Sequence, residues 1–422
     1  MNGNSPSTGN DVDIQKIAFT PRRTVGTQAI LLAGATGAAQ VATAGMYILA
    51  ARLVSPEEFG PIASVIATAT AVVGFVDFGT NSLWVRDIAR GALSATRLGR
   101  KVLAKLALSL SAATFWCVLV LTIWPAEQYW VIAPVAFAML TNQTSQVPLR
   151  GIGRADLAAL AVISDRMCGA IVMVTLILLG VSPPTALWIS IMLGSFVAAL
   201  TAWRLAPSRS LMVFSKRWWT NPWAGAGFYG VSNLANSAQS LDLAVMSAFG
   251  GPAVAGVYGA VNRWTQPLGL LVGAFSSASV PFVARADSWK DAWNHVRSAI
   301  WLPLVAILLC VAAFFLSPIL VTVLIGTSYS GSVPVLQLLA LATIPGIINQ
   351  PLAGFLQAVR LDRAVAVVMT SNVIIVLGLI AALSSAFGAV GAAMAALVTQ
   401  TLVALAFAAI AISAMRDTGN AS

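Results

Sequence analysis

The chain has 422 residues, of which 58% are hydrophobic and only 9% are charged, and its mean hydropathy is +0.86. A soluble domain carries about 25% charged residues, so this composition excludes a water-soluble globular protein. The net charge of +10 does not indicate nucleic-acid binding, because the basic residues concentrate in the loops on one side of a predicted membrane.

The apolar residues come in runs of about 20, the length that an α-helix needs to cross about 30 Å of hydrocarbon. The sequence therefore predicts an all-α polytopic membrane protein with about twelve transmembrane helices. In chain order we place the spans at 26–51, 60–84, 102–124, 129–149, 157–181, 184–205, 223–249, 253–283, 299–325, 332–358, 364–386 and 388–413.

The basic residues predict the orientation in the membrane. All but three of the 24 lysines and arginines lie in the N-terminal tail, in alternate loops and their flanks, or at the C-terminus. The exceptions are Arg52, in an opposite loop, and Arg166 and Arg263, inside spans. Because basic loops stay in the cytoplasm, we expect a multi-pass protein of the cell (inner or plasma) membrane with both termini cytoplasmic.

The sequence indicates neither a metal nor a cofactor. Cys117, Cys168 and Cys310 each lie alone inside a predicted span, and His295 is the only histidine. These residues do not provide the spacing of a metal site or the base of a Ser-His-Asp triad. The opposite loops are also too short for a catalytic domain, so we do not expect an enzyme.

Charged residues inside the predicted spans are the candidate functional residues. A charged side chain inside a membrane is energetically costly, so its presence there suggests a function. At 1.5 Å per residue, Asp77 and Arg166 each lie about 13 Å from the inner surface. Asp242 and Arg263 lie about 12 and 15 Å from the outer surface. These depths suggest two pairs, Asp77 with Arg166 and Asp242 with Arg263. They could be structural locks, or a polar cavity where arginine meets an anion and a carboxylate takes up a coupling cation.

Uncharged polar residues occur on the same spans. Small and polar residues also hold membrane helices together, so part of this pattern is expected from packing alone. Their density on spans one, two, seven and eight favours a water-filled cavity. The predicted lining residues are Gln40, Asn236, Asn262 and Gln266.

The two halves of the chain show weak self-similarity. Gly60 begins a span that ends in Asp-Ile-Ala-Arg at 87–90, and Gly256 begins one that ends in Phe-Val-Ala-Arg at 282–285. This pattern fits parallel six-helix repeats with a site at their interface. The predicted organisation is a disordered cytoplasmic tail (1–25), an N-terminal six-helix lobe (26–205), a cytoplasmic linker (206–222), a C-terminal six-helix lobe (223–413) and a cytoplasmic tail (414–422).

The first hairpin carries the most specific motif. It reads Ala-Arg-Leu-Val-Ser-Pro-Glu-Glu-Phe-Gly at 51–60, then Asp-Phe-Gly at 77–79, and then continues to Arg86 and Arg90. It resembles the polysaccharide and O-antigen (Wzx-like) flippase family, in the same MOP superfamily as the MATE drug exporters and the lipid II flippases. The resemblance implies two six-helix lobes around a central cavity lined mainly by spans one, two, seven and eight.

The resemblance also implies a function: movement of a polyprenyl-diphosphate-linked oligosaccharide from the inner to the outer leaflet by alternating access, coupled to a cation. Membrane lipids and polysaccharide-synthesis proteins are the further partners that it implies. Mapped onto this sequence, Arg263 and Arg166 would hold the anion, Arg86 or Arg90 would capture substrate at the inner mouth, and Asp77 and Asp242 would couple transport to the cation.

Three alternatives remain open. A MATE-type drug/cation antiporter would need a cluster of carboxylates and no arginine, whereas Asp242 has Arg263 as its predicted neighbour. A membrane polysaccharide polymerase or glycosyltransferase would need catalytic groups outside the membrane, where Glu57 and Glu58 form the only acidic pair. A subunit of a synthase complex without transport of its own is the third.

Overall fold

The computed structural model describes residues 25–124, 128–206, 220–265, 300–358 and 361–419. All regular elements in these ranges are helices, as the sequence predicts. Seven of the described helices are long and apolar enough to cross a membrane by length and composition. Many large apolar side chains are exposed on them, which suits a surface in contact with lipid rather than water.

Most helices begin and end within a few residues of the predicted spans. The first half of the chain contains α1 (Val25–Arg52), α2 (Pro56–Asp77), α3 (Thr80–Ala89), α4 (Ala95–Ile123), α5 (Ile132–Ser145), α6 (Val147–Gly151), α7 (Ala155–Leu178) and α8 (Pro183–Leu205). The second half contains α9 (Gly227–Ala238), α10 (Asp242–Gly250), α11 (Pro252–Asn262), α12 (Trp301–Leu324), α13 (Ser332–Ala358) and α14 (Asp362–Gly419). Three-residue or four-residue 3₁₀ turns occupy Gln128–Val131, Gln239–Leu241 and Thr327–Tyr329.

Breaks interrupt several apolar runs, including the predicted spans 129–149, at Gln146, and 223–249, at the 3₁₀ turn Gln239–Leu241. One break coincides with a predicted boundary. α14 breaks at Gly388 (φ 60°, ψ −143°), between the predicted spans 364–386 and 388–413. The predicted span 60–84 is wrong as a single helix, because α2 ends at Asp77 and α3 begins at Thr80. A left-handed backbone is uncommon for a residue with a side chain, and Phe78 has φ 46° here.

The chain forms two compact units. The first comprises the described parts of 1–39, 69–181 and 188–237, and the second those of 40–68, 182–187 and 238–422. Each unit therefore combines residues from both halves of the sequence, and α1 and α2 contribute to both units. The division into lobes at 26–205 and 223–413 stays a prediction.

In the second unit, α2 crosses α11 at a reciprocal glycine contact. A Cβ atom on Gly60 would overlap the carbonyl oxygen of Pro252, and a Cβ atom on Gly256 would overlap that of Pro56. Pro252 and Gly256 follow Pro56 and Gly60 at the same offset of 196 residues. Each glycine thus removes the side chain that would separate the two backbones, a common device in membrane helix packing.

The same offset relates a second pair of contacting residues. A Cβ atom on Gly259 would lie 3.3 Å from the Cβ atom of Ala63, which is its equivalent in the first half. Next to Ala63, the Ser64 hydroxyl donates a hydrogen bond of 3.1 Å to the carbonyl oxygen of Leu243, which is not its equivalent in the repeat. Equivalent positions therefore meet each other across the crossing, as expected for two copies of one repeat related by a local two-fold axis.

Replacing Gly256 by alanine should lower the apparent Tm of the purified protein in detergent. Its Cβ atom would lie 2.7 Å from the carbonyl carbon of Pro56, and overpacking of this kind typically costs about 1–3 kcal/mol. The matched control is Gly378→Ala on α14, where a Cβ atom meets no atom within 4 Å. Because alanine is the better helix former, the control should keep or raise the Tm. Equal Tm values for both variants would contradict the close crossing.

Candidate functional site

Asp77 and Lys105 form a buried ion pair in the first unit. Their Oδ1 and Nζ atoms are 2.5 Å apart, and the Lys105 side chain is 0% exposed. The ammonium group also donates to Thr80 Oγ1 at 2.9 Å and to Asn81 Oδ1 at 3.1 Å, so that each of its three hydrogens has an acceptor. It lies 5.0 Å from the centre of the Trp84 ring, which adds a cation–π contact. The charge and the three N–H groups of the Lys105 ammonium therefore all have partners despite the burial of the side chain.

The same carboxylate organises the break between α2 and α3. Its Oδ1 atom accepts hydrogen bonds from the Thr80 hydroxyl at 3.0 Å and from the backbone N–H of Asn81 at 3.3 Å. The N-cap position of α3 is Gly79, which has no side chain for this task. Asp77 thus ends one helix and supplies the negative charge that favours the start of the next.

Residues from the second half of the sequence also contact the break between α2 and α3 in the first unit. The Trp223 indole N–H donates to the carbonyl oxygen of Val76 at 2.8 Å, and the Asn233 amide donates to that of Gly74 at 2.7 Å. The last carbonyl groups of a helix lack partners within the helix, so the bond from Trp223 satisfies Val76 at the end of α2. The Gly74 carbonyl oxygen accepts from Asn233 in addition to the backbone N–H of Phe78. The Phe78 ring occupies the space that a side chain on Gly230 would need.

The predicted pair between Asp77 and Arg166 is wrong. Asp77 binds Lys105, and the Arg166 guanidinium lies 3.5 Å from its neighbour Asp165. The sequence did not single out Lys105, which lies within α4.

Asp165 belongs to a chain of hydrogen bonds that the sequence did not reveal. Its Oδ2 atom accepts from the amide of Asn142 at 3.0 Å, while Asn142 Oδ1 accepts from the amide of Gln146 at 2.7 Å. Gln146 Oε1 in turn accepts from Arg150 at 2.9 Å. Burial lowers the pKa of Arg150, which lies on the short helix α6 outside the long spans. The chain links α6 to α7 through α5.

The two predicted capture residues lie on or next to α3. Arg86 is half-buried and forms an ion pair of 2.8 Å with Asp87. Arg90 is exposed at the C-terminal cap. The buried face of the helix carries Leu83, Trp84 and Ile88. Because the backbone breaks at Phe78 and Gly79, Arg86 and Arg90 lie on and directly after the short helix α3 rather than on the long apolar α2.

In the second unit, Asp242, Asn262 and Arg263 come together as predicted. The Asn262 amide donates to Asp242 Oδ2 at 3.2 Å, and the backbone N–H of Leu243 donates to Oδ1 at 2.7 Å. Arg263 lies close enough to Asp242 for their charges to attract each other. Its guanidinium carbon lies 5.4 Å from the centre of the Tyr47 ring on α1. This group combines a carboxylate, an amide and a guanidinium at positions that the sequence predicts to lie inside membrane spans.

The corresponding positions of the first half are uncharged. The offset that relates Gly60 to Gly256 makes Met46, Ile66 and Ala67 the equivalents of Asp242, Asn262 and Arg263. The backbones also differ here, because α1 is continuous through Met46 whereas the 3₁₀ turn Gln239–Leu241 directly precedes Asp242. The asymmetry favours a functional interpretation of the three residues in the second half over a purely structural lock.

The remaining predicted lining residues are less informative. Gln40 is half-buried on α1, and Asn236 is exposed on α9. Gln266 lies outside the described residues. Within the described ranges, no group of three or more histidine, cysteine, aspartate or glutamate side chains could hold a metal ion.

Removing one partner of the Asp77–Lys105 pair should destabilise the protein strongly. Loss of either charge leaves the other buried and uncompensated, which typically costs about 3–5 kcal/mol. We expect Asp77→Asn and Lys105→Met each to lower the apparent Tm, and the double variant to lose less than the sum of the two.

The exposed pair Arg86–Asp87 provides the control. With side chains 39% and 26% exposed, it should contribute at most about 1 kcal/mol, so Asp87→Asn should change the Tm little. Strictly additive effects of Asp77→Asn and Lys105→Met would show that the two side chains do not interact.

The comparisons with known proteins agree with this architecture. Residues 25–287 match the family of polysaccharide biosynthesis proteins. The lipid II flippase MurJ in an inward closed conformation is similar, with 13% identity, coverage of 90% of this chain and 86% of that chain, and a TM-score of 0.71. No curated protein matches the chain.

Two further solved structures have the same fold. One is an inward-facing multidrug resistance MATE family transporter of the MOP superfamily, with 15% identity, coverage of 90% and 96%, and a TM-score of 0.65. The other is a MOP superfamily transporter from Pyrococcus furiosus Vc1, whose binding pocket has reverse polarity, with 15% identity, coverage of 98% and 100%, and a TM-score of 0.56.

At these identities the structural likeness concerns the fold, and the family assignment rests on the match to residues 25–287. That match spans more than half of the 422 residues and includes the hairpin motif on which the resemblance was based. The chain therefore belongs to the polysaccharide biosynthesis protein family and has the fold of the MOP superfamily of multi-pass membrane transporters.

Proposed function

We propose that the protein flips a polyprenyl-diphosphate-linked oligosaccharide, a polysaccharide precursor, from the inner to the outer leaflet by alternating access. The observation that carries this proposal is the group of Asp242, Asn262 and Arg263 on α10 and α11. A guanidinium within a membrane protein is expensive, and an anion is the ligand that it binds best. The family match supports a polysaccharide-related substrate.

Arg263 is the first candidate for the diphosphate in this proposal. Its guanidinium carbon lies 5.4 Å from the centre of the Tyr47 ring, and Asp242 is near enough to attract its charge. Arg166 is the second candidate, although its partner Asp165 is 3.5 Å away and already reduces its net charge. Arg86 and Arg90 on or beside α3 remain candidates for capture at the inner mouth.

For cation coupling, Asp242 is a better candidate than Asp77. The ammonium group of Lys105 already lies where a cation bound to Asp77 would lie, and its three hydrogen bonds hold it there. Asp242 Oδ2 accepts a hydrogen bond from the neutral amide of Asn262, and Arg263, which also attracts this carboxylate, is the residue that the proposal assigns to the anion. We therefore assign coupling to Asp242.

A MATE-type drug/cation antiporter is the alternative, because a MATE family transporter has the same fold. That function would not require a cation such as Arg263 in the site. The family match and the similarity to a lipid II flippase favour a lipid-linked substrate and a transporter rather than a polymerase or glycosyltransferase. In this proposal the protein lies in the cell membrane with both termini cytoplasmic and works with polysaccharide-synthesis proteins.

Arg263→Ala should slow transport without unfolding the protein. The assay follows the leaflet orientation of a fluorescent polyprenyl-diphosphate oligosaccharide in proteoliposomes, with and without an imposed ion gradient. Loss of one charge-assisted contact costs about 1.5–3 kcal/mol, so the rate should fall by about tenfold or more. Arg263→Lys keeps the charge and should retain part of the rate.

Arg154→Ala is the matched control, since Arg154 pairs with Asp156 at a helix start, outside the long spans, and should leave transport unchanged. If the Arg263→Ala variant transports the substrate at the wild-type rate, Arg263 is a structural partner of Asp242. Absence of wild-type movement for every lipid-linked sugar, even with a gradient, would favour the drug antiporter or the complex subunit.

A further inference from the structure

Three basic side chains share one face of α4 near its N-terminal end. Arg97, Arg100 and Lys101 are related by spacings of three and four residues from Arg97, which brings side chains together on an α-helix. Arg97 is exposed, and Arg100 and Lys101 are half-buried. These three residues, which we call the α4 basic cluster, concentrate positive charge within little more than one helical turn.

The protein itself compensates these charges poorly. Within the described ranges, none of the three side chains forms an ion pair with a carboxylate. Asp87 is near enough to attract Lys101, but it already forms an ion pair of 2.8 Å with Arg86. The Nε atom of Arg100 is buried and has no hydrogen-bond partner in the part of the chain that the structure describes. Buried polar atoms nearly always have a partner, so this donor indicates an acceptor from outside the chain.

The position of the cluster on the helix adds to its electrostatic cost. A helix has a partial positive charge at its N-terminus, where acidic side chains are favourable and basic ones are not. The first turn of α4 contains no acidic residue. Like charges four residues apart, here on Arg97 and Lys101, also repel each other. An anion bound at the cluster relieves both effects.

The rest of α4 presents an apolar surface next to the cluster. Among the described helices that could cross a membrane, α4 is the least buried, with 6% of its most apolar 18-residue stretch buried against 22–61% for the others. Leu110 is 50% exposed and follows Lys101 by about 14 Å along the helix. One leaflet contains about 15 Å of hydrocarbon, so acyl chains that start at the cluster can reach this exposed surface.

We propose that the α4 basic cluster binds the head group of an anionic phospholipid, whose acyl chains lie along the exposed apolar surface of α4. The Arg100 guanidinium donates to phosphate oxygens, while Arg97 and Lys101 supply further positive charge. This site is separate from the residues assigned above to the transported substrate. It goes beyond the proposed function and does not depend on which substrate the protein moves.

The place of the cluster in the chain favours a phospholipid over an acidic partner protein. The predicted span begins at residue 102, directly after Lys101, so the cluster lies at the depth of the lipid head groups. The buried Nε atom of Arg100 is more accessible to a small phosphate group than to the carboxylates of another folded protein. We therefore commit to phosphatidylglycerol, an anionic phospholipid with one phosphodiester, as the probe.

Arg100→Gln/Lys101→Gln should weaken binding of dioctanoyl phosphatidylglycerol to the purified full chain about tenfold or more, because two charges at the head group are lost. Titration followed by native mass spectrometry measures this affinity. Glutamine has nearly the helix propensity of arginine and lysine, so α4 should form in the variant. Dioctanoyl phosphatidylcholine, which has the same phosphate but no net charge, should bind more weakly to the wild type and should not respond to the substitutions.

The matched control removes two positive charges elsewhere. Arg154→Gln/Arg363→Gln lowers the net charge by the same amount near the starts of α7 and α14 and should leave binding of phosphatidylglycerol unchanged. Equal weakening in the two double variants would overturn the site, because it would show a diffuse attraction of the lipid to all basic loops. Absence of phosphatidylglycerol binding by the wild type would overturn it as well.

Thermal stability separates lipid binding from a structural role of the cluster. In neutral detergent without lipid, Arg100→Gln/Lys101→Gln should keep or raise the Tm, because it removes repulsion near a helix N-terminus. Added phosphatidylglycerol should raise the Tm of the wild type and of the control, and that of Arg100→Gln/Lys101→Gln less, since a ligand stabilises the state that binds it. A lower Tm without lipid together with unchanged lipid binding would show a structural role and overturn the site.

A transport assay separates this site from the proposed function. If Arg100→Gln/Lys101→Gln stops the movement of lipid-linked oligosaccharide in proteoliposomes of phosphatidylcholine alone, the cluster serves the transported substrate and the phospholipid site is overturned. If the wild type binds phosphatidylglycerol through the cluster but moves no lipid-linked sugar, the site is kept and the proposed function is rejected.

Discussion

The buried ion pair between Lys105 and Asp77 is the constraint on which the first unit depends. It places a fully enclosed ammonium group against a carboxylate that also starts α3, so the register of α4 and the break after α2 are set together. Neither charge can be removed alone without leaving the other in a medium of low polarity. The direction of α3, and with it the positions of Arg86 and Arg90, follows from this single contact.

α2 meets the second half of the sequence through two different kinds of contact. In the first unit the contact is polar, because Trp223 and Asn233 bind carbonyl oxygens near the end of the helix. In the second unit it is steric, because Gly60 and Gly256 let two backbones touch. Hydrogen bonds can be exchanged one at a time with water or lipid head groups, whereas a contact between backbones depends on the absence of any side chain.

The sequence predicted what apolar length and charge can specify. The span at 184–205 corresponds to α8 at Pro183–Leu205, and the gap between the last two spans coincides with the break at Gly388. It did not predict the break at Phe78 and Gly79, although the segment Asp-Phe-Gly-Thr-Asn-Ser at 77–82 contains a glycine and four polar residues, a composition typical of a loop. The left-handed conformation of Phe78 itself is held by tertiary packing, here against Gly230.

Charge partners were only partly predictable for a related reason. Asp242, Asn262 and Arg263 lie on consecutive elements joined by a short turn, so depth along the chain was sufficient to bring them together. Asp77 and Lys105 are joined through α3 and a loop, and the depth of Lys105 depends on a break that the sequence did not show.

Proteins with the same fold at 13–15% identity include a drug exporter and a lipid II flippase, so the substrate must be argued from side chains rather than from architecture. In our proposal, the guanidinium of Arg263, which lies over an aromatic ring beside a carboxylate that the counterpart repeat lacks, binds the anionic head group of the substrate rather than its sugars.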